Sequence, residues 1–129
     1  MRIEAYFQHI WKIIDACSVV RSFNVTYDKR GSHEGFVRGE VYFVDGSVLH
    51  LREFADVEGV IERLTYVYQY MDSAGRLVFR YDNTGHHQKL NLPTYPHHRH
   101  EGSEQAVVAS SAPELVTILG EIETLVQLP

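Results

Sequence analysis

Phe36-Val37-Arg38-Gly39-Glu40-Val41-Tyr42-Phe43-Val44-Asp45-Gly46-Ser47-Val48-Leu49-His50-Leu51-Arg52-Glu53-Phe54 carries two alternating apolar and polar runs about one turn signal. Asp45 and Gly46 both tolerate positive φ, and such a pair between alternating runs marks a hairpin. The spacing predicts a strand from about Phe36 to Val44 and a returning strand from Ser47 to Phe54. With a two-residue turn, Glu40 and Glu53 face each other across neighbouring strands and share a face with Leu49 and Leu51. Strand carboxylates of this kind are more often solvated or salt-bridged than catalytic, and that is the expectation here.

The pattern changes on either side of the hairpin. Ile3, Tyr6, Phe7, Ile10, Ile13, Ile14 and Cys17 recur at three- and four-residue spacing, which describes an amphipathic helix with Cys17 as a small buried side chain. Phe23, Val25 and Tyr27 then alternate with polar residues as a half-buried strand, and Lys29 to Gly35 is a turn. Beyond the hairpin, Tyr66, Tyr68 and Tyr70 read as one packed face of a fourth strand, and Leu77 to Asp82 as a fifth. Asn83 to Glu104 has no clean period and reads as a long loop, followed by a short last strand at Val107 and Val108. Ser111 and Glu114 form a capping-box pattern with Pro113 in the first turn, and Leu115, Ile118, Leu119, Ile122, Leu125 and Val126 make a helical stripe. The expectation is a single α+β domain over residues 1–129 with two layers. Its sheet is mainly antiparallel with five or six strands, and the N- and C-terminal helices pack on one face.

Composition narrows the function. Apolar residues are 44% and charged residues 22% of the chain, a globular balance. No run approaches the roughly 20 apolar residues of a membrane span, so no membrane partner is expected. Met1-Arg2-Ile3-Glu4 lacks the basic, then apolar, start of a secretory signal, and one cysteine excludes a disulfide framework. A reducing cytoplasm is the expected compartment. No glycine-rich phosphate loop, serine-hydrolase elbow or Cys-x-x-Cys occurs. The net charge of −5 argues against non-specific coating of nucleic acid. That average hides an asymmetry: residues 76–100 hold Arg76, Arg80, Lys89 and Arg99 against Asp82 alone, with five of the eight histidines.

Within that window Arg80-Tyr81-Asp82-Asn83-Thr84-Gly85-His86-His87 and Pro96-His97-His98-Arg99-His100 invite two chemical readings. In the first, imidazoles act as general acid and base on an RNA phosphodiester. Arg80, Lys89 and Arg99 supply cations to the phosphate, and Tyr81 or Tyr95 stacks on a base or donates a hydrogen bond. In the second, His98 and His100 lie on one side of an extended segment and share a zinc, nickel or iron ion, completed by His86 or His87 and Asp82. The bland alternative is a polar surface loop; His9, His33 and His50 read as surface or partly buried structural residues.

These blocks also resemble the TumE-like toxin family of prokaryotes. The resemblance rests on the N-terminal helix, Phe43-Val44-Asp45-Gly46-Ser47, the strand ending near Glu53, the tyrosine-rich strand and the two histidine blocks, from about Tyr6 to Leu125. It implies the toxin of a toxin–antitoxin pair, whose antitoxin in this family is a helix-turn-helix protein. It implies no catalytic assignment. The leading expectation is therefore a ribonuclease that needs no cofactor, with His98 or His100 as one acid–base group and His86 or His87 as its partner. Arg80 and Arg99 then bind phosphate, and Asp82 orients an imidazole or caps the loop. The rival is a metal- or protein-binding module without catalysis, with His98, His100 and His86 around zinc or another divalent ion. A transferase acting on RNA and a homodimeric assembly are equally compatible with the residues.

Overall fold

The computed structural model describes residues 1–85 and 92–126. Helix α1 (Ile3–Ala16) buries Ile3, Tyr6, Ile10 and Ile14, and the backbone turns extended at Cys17. Seven strands follow: β1 (Val20–Lys29), β2 (Glu34–Phe43), β3 (Val48–Asp56), β4 (Glu62–Met71), β5 (Leu77–Asp82), β6 (His98–Glu101) and β7 (Val107–Ala109). Helix α2 (Leu115–Leu125) closes the order. The strands form one sheet in chain order, every neighbouring pair antiparallel. The α+β class agrees with the expectation, but the sheet has seven strands where five or six were expected.

The additional strand is β6. His98-Arg99-His100-Glu101 has no apolar residue to reveal a period, and it becomes a strand because the open edge of β5 pairs with it. A second correction concerns the hairpin. Phe43 N–H donates to Ser47 O, and Gly46 has φ 87°, so the loop is Val44-Asp45-Gly46, three residues with the last in the left-handed region. Tyr42 therefore opposes Val48, and Glu40 opposes His50. One residue of slip sends a side chain to the other face. Glu40 and Glu53 thus lie on opposite faces; Glu53 opposes Val37 and Tyr66.

Both helices lie on the face that carries Leu49, Leu51 and Glu53. Tyr6 of α1 donates its hydroxyl to Glu53, and Tyr81 of β5 donates to Glu121 of α2 at 2.8 Å. Glu53 is fully buried and also accepts from Tyr68 OH at 2.6 Å, so its charge is held by donors. Helix α2 begins without the expected capping box. Its N-cap is Glu114, which makes no side-chain capping bond, and Pro113 lies before the helix. Arg63 instead takes the preceding carbonyls, donating to Pro113 O at 2.7 Å and Ala112 O at 2.8 Å. Proline also pushes the residue before it into extended backbone, which delays the helix start. Cys17 is buried as expected.

At Gly39 the sheet draws β1 and β2 into close approach: a Cβ there meets Asn24 O at 2.1 Å and Val25 Cα at 2.6 Å. These are backbone atoms that cannot rotate away. Gly39→Ala is expected to cost at least about 2 kcal/mol of unfolding free energy. Gly59→Ala, where a Cβ meets nothing within 4 Å, should stay within about 0.5 kcal/mol of wild type. Urea midpoints of the two variants check the contrast.

Candidate functional site

The face turned away from the helices carries two adjacent rows of side chains that cross the sheet. One row runs Thr26, Arg38, Arg52, Val67, Asp82, His98; the next runs Asn24, Glu40, His50, Gln69, Arg80, His100. Opposed residues of antiparallel strands project to the same side, so the register alone brings these groups together. A groove of about 460 Å³ lies over them, lined among others by Arg38, Glu40, His50, Arg52, Gln69 and Arg80. A second concavity of about 760 Å³ shares Thr26, Arg38, Arg52 and Val67 with it and extends to Arg30 and Phe36. Phe36 stacks on Phe54 at 4.5 Å between centroids, and the Arg30 guanidinium lies over the Phe36 ring at 5.2 Å.

Inside the groove, His50 Nδ1 lies 3.9 Å from Glu40 Oε1, and both side chains reach solvent, 47% and 37% exposed. Arg38 and Arg52 are exposed beside them. This acid–imidazole pair among guanidiniums was missed in the sequence because the two-residue turn sent Glu40 to the wrong face. A three-residue loop ending in Gly46 would have found it.

The histidine window divides in three. Asp82, His98 and His100 meet as a buried cluster, 0%, 2% and 3% exposed, at the end of the two rows. His98 Nε2 is 2.9 Å from Asp82 Oδ1 and His100 Nε2 is 3.6 Å from Asp82 Oδ2. Arg80 Nε lies 3.0 Å from Asp82 Oδ2, so Arg80 joins this cluster to the groove it lines. Thr84 donates its N–H and hydroxyl to Asp82 Oδ1 at 3.0 and 2.9 Å, the loop-capping role expected of Asp82. Arg99, expected beside phosphate, and Tyr81, expected to stack on a base or donate a hydrogen bond, point the other way because strand side chains alternate. There Arg99 pairs with Glu121 at 2.8 Å and lies over the Phe79 and Tyr81 rings, binding α2 to the sheet. Tyr95 is exposed, its hydroxyl 3.4 Å from Gly85 O. His97 also faces the helix side: its ring stacks on Tyr66, whose hydroxyl lies 2.8 Å from His97 Nδ1. Burial lowers the His97 pKa, helped by the nearby Arg63 charge. His86, His87 and Lys89 lie outside the described residues, so the proposed pairing of His86 or His87 with His98 or His100 does too.

Fold and site together define a small α+β protein with a cationic groove on an open sheet face. The family model described as Toxin TumE matches residues 10–126, and the chain belongs to that family. No curated protein and no solved structure matches the chain. Among the described residues, no helix is long and apolar enough to cross a membrane.

The tyrosines on the helix side give a pH test of the docking just described. Burial is the main cause that pushes Tyr66 and Tyr81 up to about 12, with the Glu121 carboxylate adding to it at Tyr81. Such a phenol keeps its proton in the fold while the unfolded chain loses its own near pH ~10. Its contribution is therefore complete below about pH 10 and is lost as pH rises towards the folded value. Unfolding free energy should fall from about pH 10 upward, with a shallower fall in Tyr81→Phe; denaturant midpoints across that range check it.

Proposed function

We propose that this chain is a toxin that cleaves RNA in the groove, with Glu40 as general base and His50 as general acid. The observation that carries the reading is the exposed Glu40–His50 pair, 3.9 Å apart, on the same face as Arg38, Arg52 and Arg80. Glu40 takes the proton of the ribose 2′-hydroxyl as that oxygen attacks phosphorus. Protonated His50 gives its proton to the leaving 5′-oxygen, so a 2′,3′-cyclic phosphate and a 5′-hydroxyl are formed. Guanidiniums beside the reacting phosphate stabilise charge that grows in the transition state and offer it paired donors. The Phe36–Phe54 stack lies along the same face, where an unpaired base would stack on an aromatic plane.

The buried histidines take a different role in this reading from the one first expected. At 2% and 3% exposure His98 and His100 do not reach a phosphodiester, while Asp82 beside them holds Arg80. They act as positioning residues, and Arg80 is the group that touches substrate. Acidic groups elsewhere on the chain (net charge −5) disfavour long bare strands and favour RNA held in a defined shape. The partner of this toxin is its cognate antitoxin, a helix-turn-helix protein by family resemblance. An acidic segment of that protein over the arginine groove would block it.

The test is cleavage of a defined RNA and growth inhibition on induction. Glu40→Gln and His50→Ala are each expected to slow cleavage by about 10²–10⁴-fold, the size of an acid–base contribution. Their melting temperatures should stay near wild type because both side chains are solvated. Arg38→Ala and Arg52→Ala should weaken RNA binding and flatten its salt dependence. Full cleavage and full toxicity in the Glu40→Gln/His50→Ala double variant would remove this pair from the mechanism.

A further inference from the structure

We propose that Asp82, His98 and His100 hold one divalent transition-metal ion, such as zinc or cobalt. The Asp82 carboxylate and the Nε2 atoms of the two histidines are its ligands. The inference does not depend on RNA cleavage, because it concerns the resting protein and a different cluster of side chains.

The geometry suits a shared ion. One ligand atom from each of the three residues lies within 4.8 Å of the others, and all three residues are buried. Bonds of about 2.0–2.2 Å at tetrahedral or octahedral angles put neighbouring ligand atoms roughly 2.8–3.6 Å apart. The distances of 2.9 Å from His98 Nε2 to Asp82 Oδ1 and 3.6 Å from His100 Nε2 to Asp82 Oδ2 match that range, one at each carboxylate oxygen. Strand geometry supplies the set without strain: His98 and His100 are two residues apart on β6, and Asp82 opposes His98 on β5.

The outer contacts point the same way. His98 Nδ1 lies 2.9 Å from Pro96 O, and His100 Nδ1 lies 2.8 Å from Glu104 O. A carbonyl oxygen only accepts, so each Nδ1 carries the hydrogen, and a neutral ring in that tautomer presents its Nε2 lone pair towards Asp82. Two imidazole lone pairs and a carboxylate converge in a buried space, an arrangement that a cation stabilises. Metal-bound histidines characteristically donate their other nitrogen to a carbonyl or carboxylate in this way. Asp82 Oδ2 is buried and accepts no hydrogen bond among the described residues, although Arg80 Nε lies 3.0 Å away. A carboxylate has about four lone-pair sites, so the Arg80 ion pair and a metal bond are compatible. Two imidazoles and one carboxylate select zinc, iron, cobalt or nickel over magnesium or calcium, which prefer all-oxygen shells. The ion would fix Asp82, and through it Arg80.

The full chain, made without a polyhistidine tag, is stripped with chelator and titrated with zinc and with cobalt. We expect about one equivalent bound per chain and a higher melting temperature on reloading. In a ¹⁵N spectrum of the wild-type protein, the ring nitrogens of His98 and His100 should move on zinc addition, while those of His9, His33 and His50 stay. Asp82→Asn, His98→Gln and His100→Gln should each weaken cobalt binding at least tenfold. Should a buried substitution prevent folding, the wild-type spectrum decides alone. Failure of the folded wild type to bind zinc or cobalt overturns the inference, as do ring shifts confined to other histidines or equal affinity in folded variants. In any of those cases the cluster is a protonated His–Asp ion-pair network. RNA cleavage is measured separately on the Glu40 and His50 variants, so the two readings fail independently.

Discussion

The conformation of Val44-Asp45-Gly46 governs which chemistry this sheet presents. Gly46 takes the left-handed region, and Ser47 N–H donates to Asp45 Oδ1 at 2.9 Å, which closes a three-residue loop. Tyr70 of β4 donates its hydroxyl to Ser47 Oγ at 2.8 Å, so the turn is tied to a third strand. With Phe43 set against Ser47, every later opposition on β2 and β3 follows, and alternation assigns each side chain to a face. Leu49, Leu51, Val37 and Val41 go beneath the helices, while Arg38, Glu40, His50 and Arg52 go to the open side. Burial of that apolar set is what makes a slip costly, since a one-residue change would expose all of it to water.

Beneath the helices, one charge has to be accommodated. Glu53 sits in the same row as Val37 and Tyr66 with no exposed surface, held by the hydroxyls of Tyr6 and Tyr68. Desolvation and the Glu53 charge keep both phenols protonated far above their ordinary range, so they remain donors at every ordinary pH. Arg63 donates to Tyr68 at 2.9 Å and also holds the two carbonyls that precede α2. One network thereby links α1, the sheet centre and the start of α2. Truncating any member leaves a buried polar group unpaired, which is why such networks tolerate little substitution.

On the open face the corresponding link is Arg80. It belongs to the groove by exposure and to the Asp82 cluster by its ion pair. Asp82 is braced by Thr84 and flanked by two histidines whose far nitrogens bond to backbone carbonyls. A guanidinium held from behind in this way is pre-organised for an anion, losing less freedom when one arrives. The buried cluster and the solvated groove are therefore two halves of one strand-crossing pattern.

The sequence by itself determined both helices, six of the seven strands, the antiparallel meander and the family. Those readings rest on local periods, as in Ile3-Tyr6-Ile10-Ile14 or Phe23-Val25-Tyr27, and on turn residues. It also named Asp82, His98 and His100 among its candidate site residues, and the structure brings these three together. Tertiary structure decided the rest, because the deciding interactions lie far apart in the chain. Strand β6 has no apolar signature and exists through its pairing with β5. The start of α2 was set by Arg63, some 50 residues earlier, which overrode the Ser111–Glu114 pattern. Arg99 and Tyr81 were claimed by Glu121, which left them on the helix side. The Glu40–His50 pair depended on one residue of turn length. Side chains alternate with a period of two, so an error of one in that loop exchanges the face of every residue beyond it.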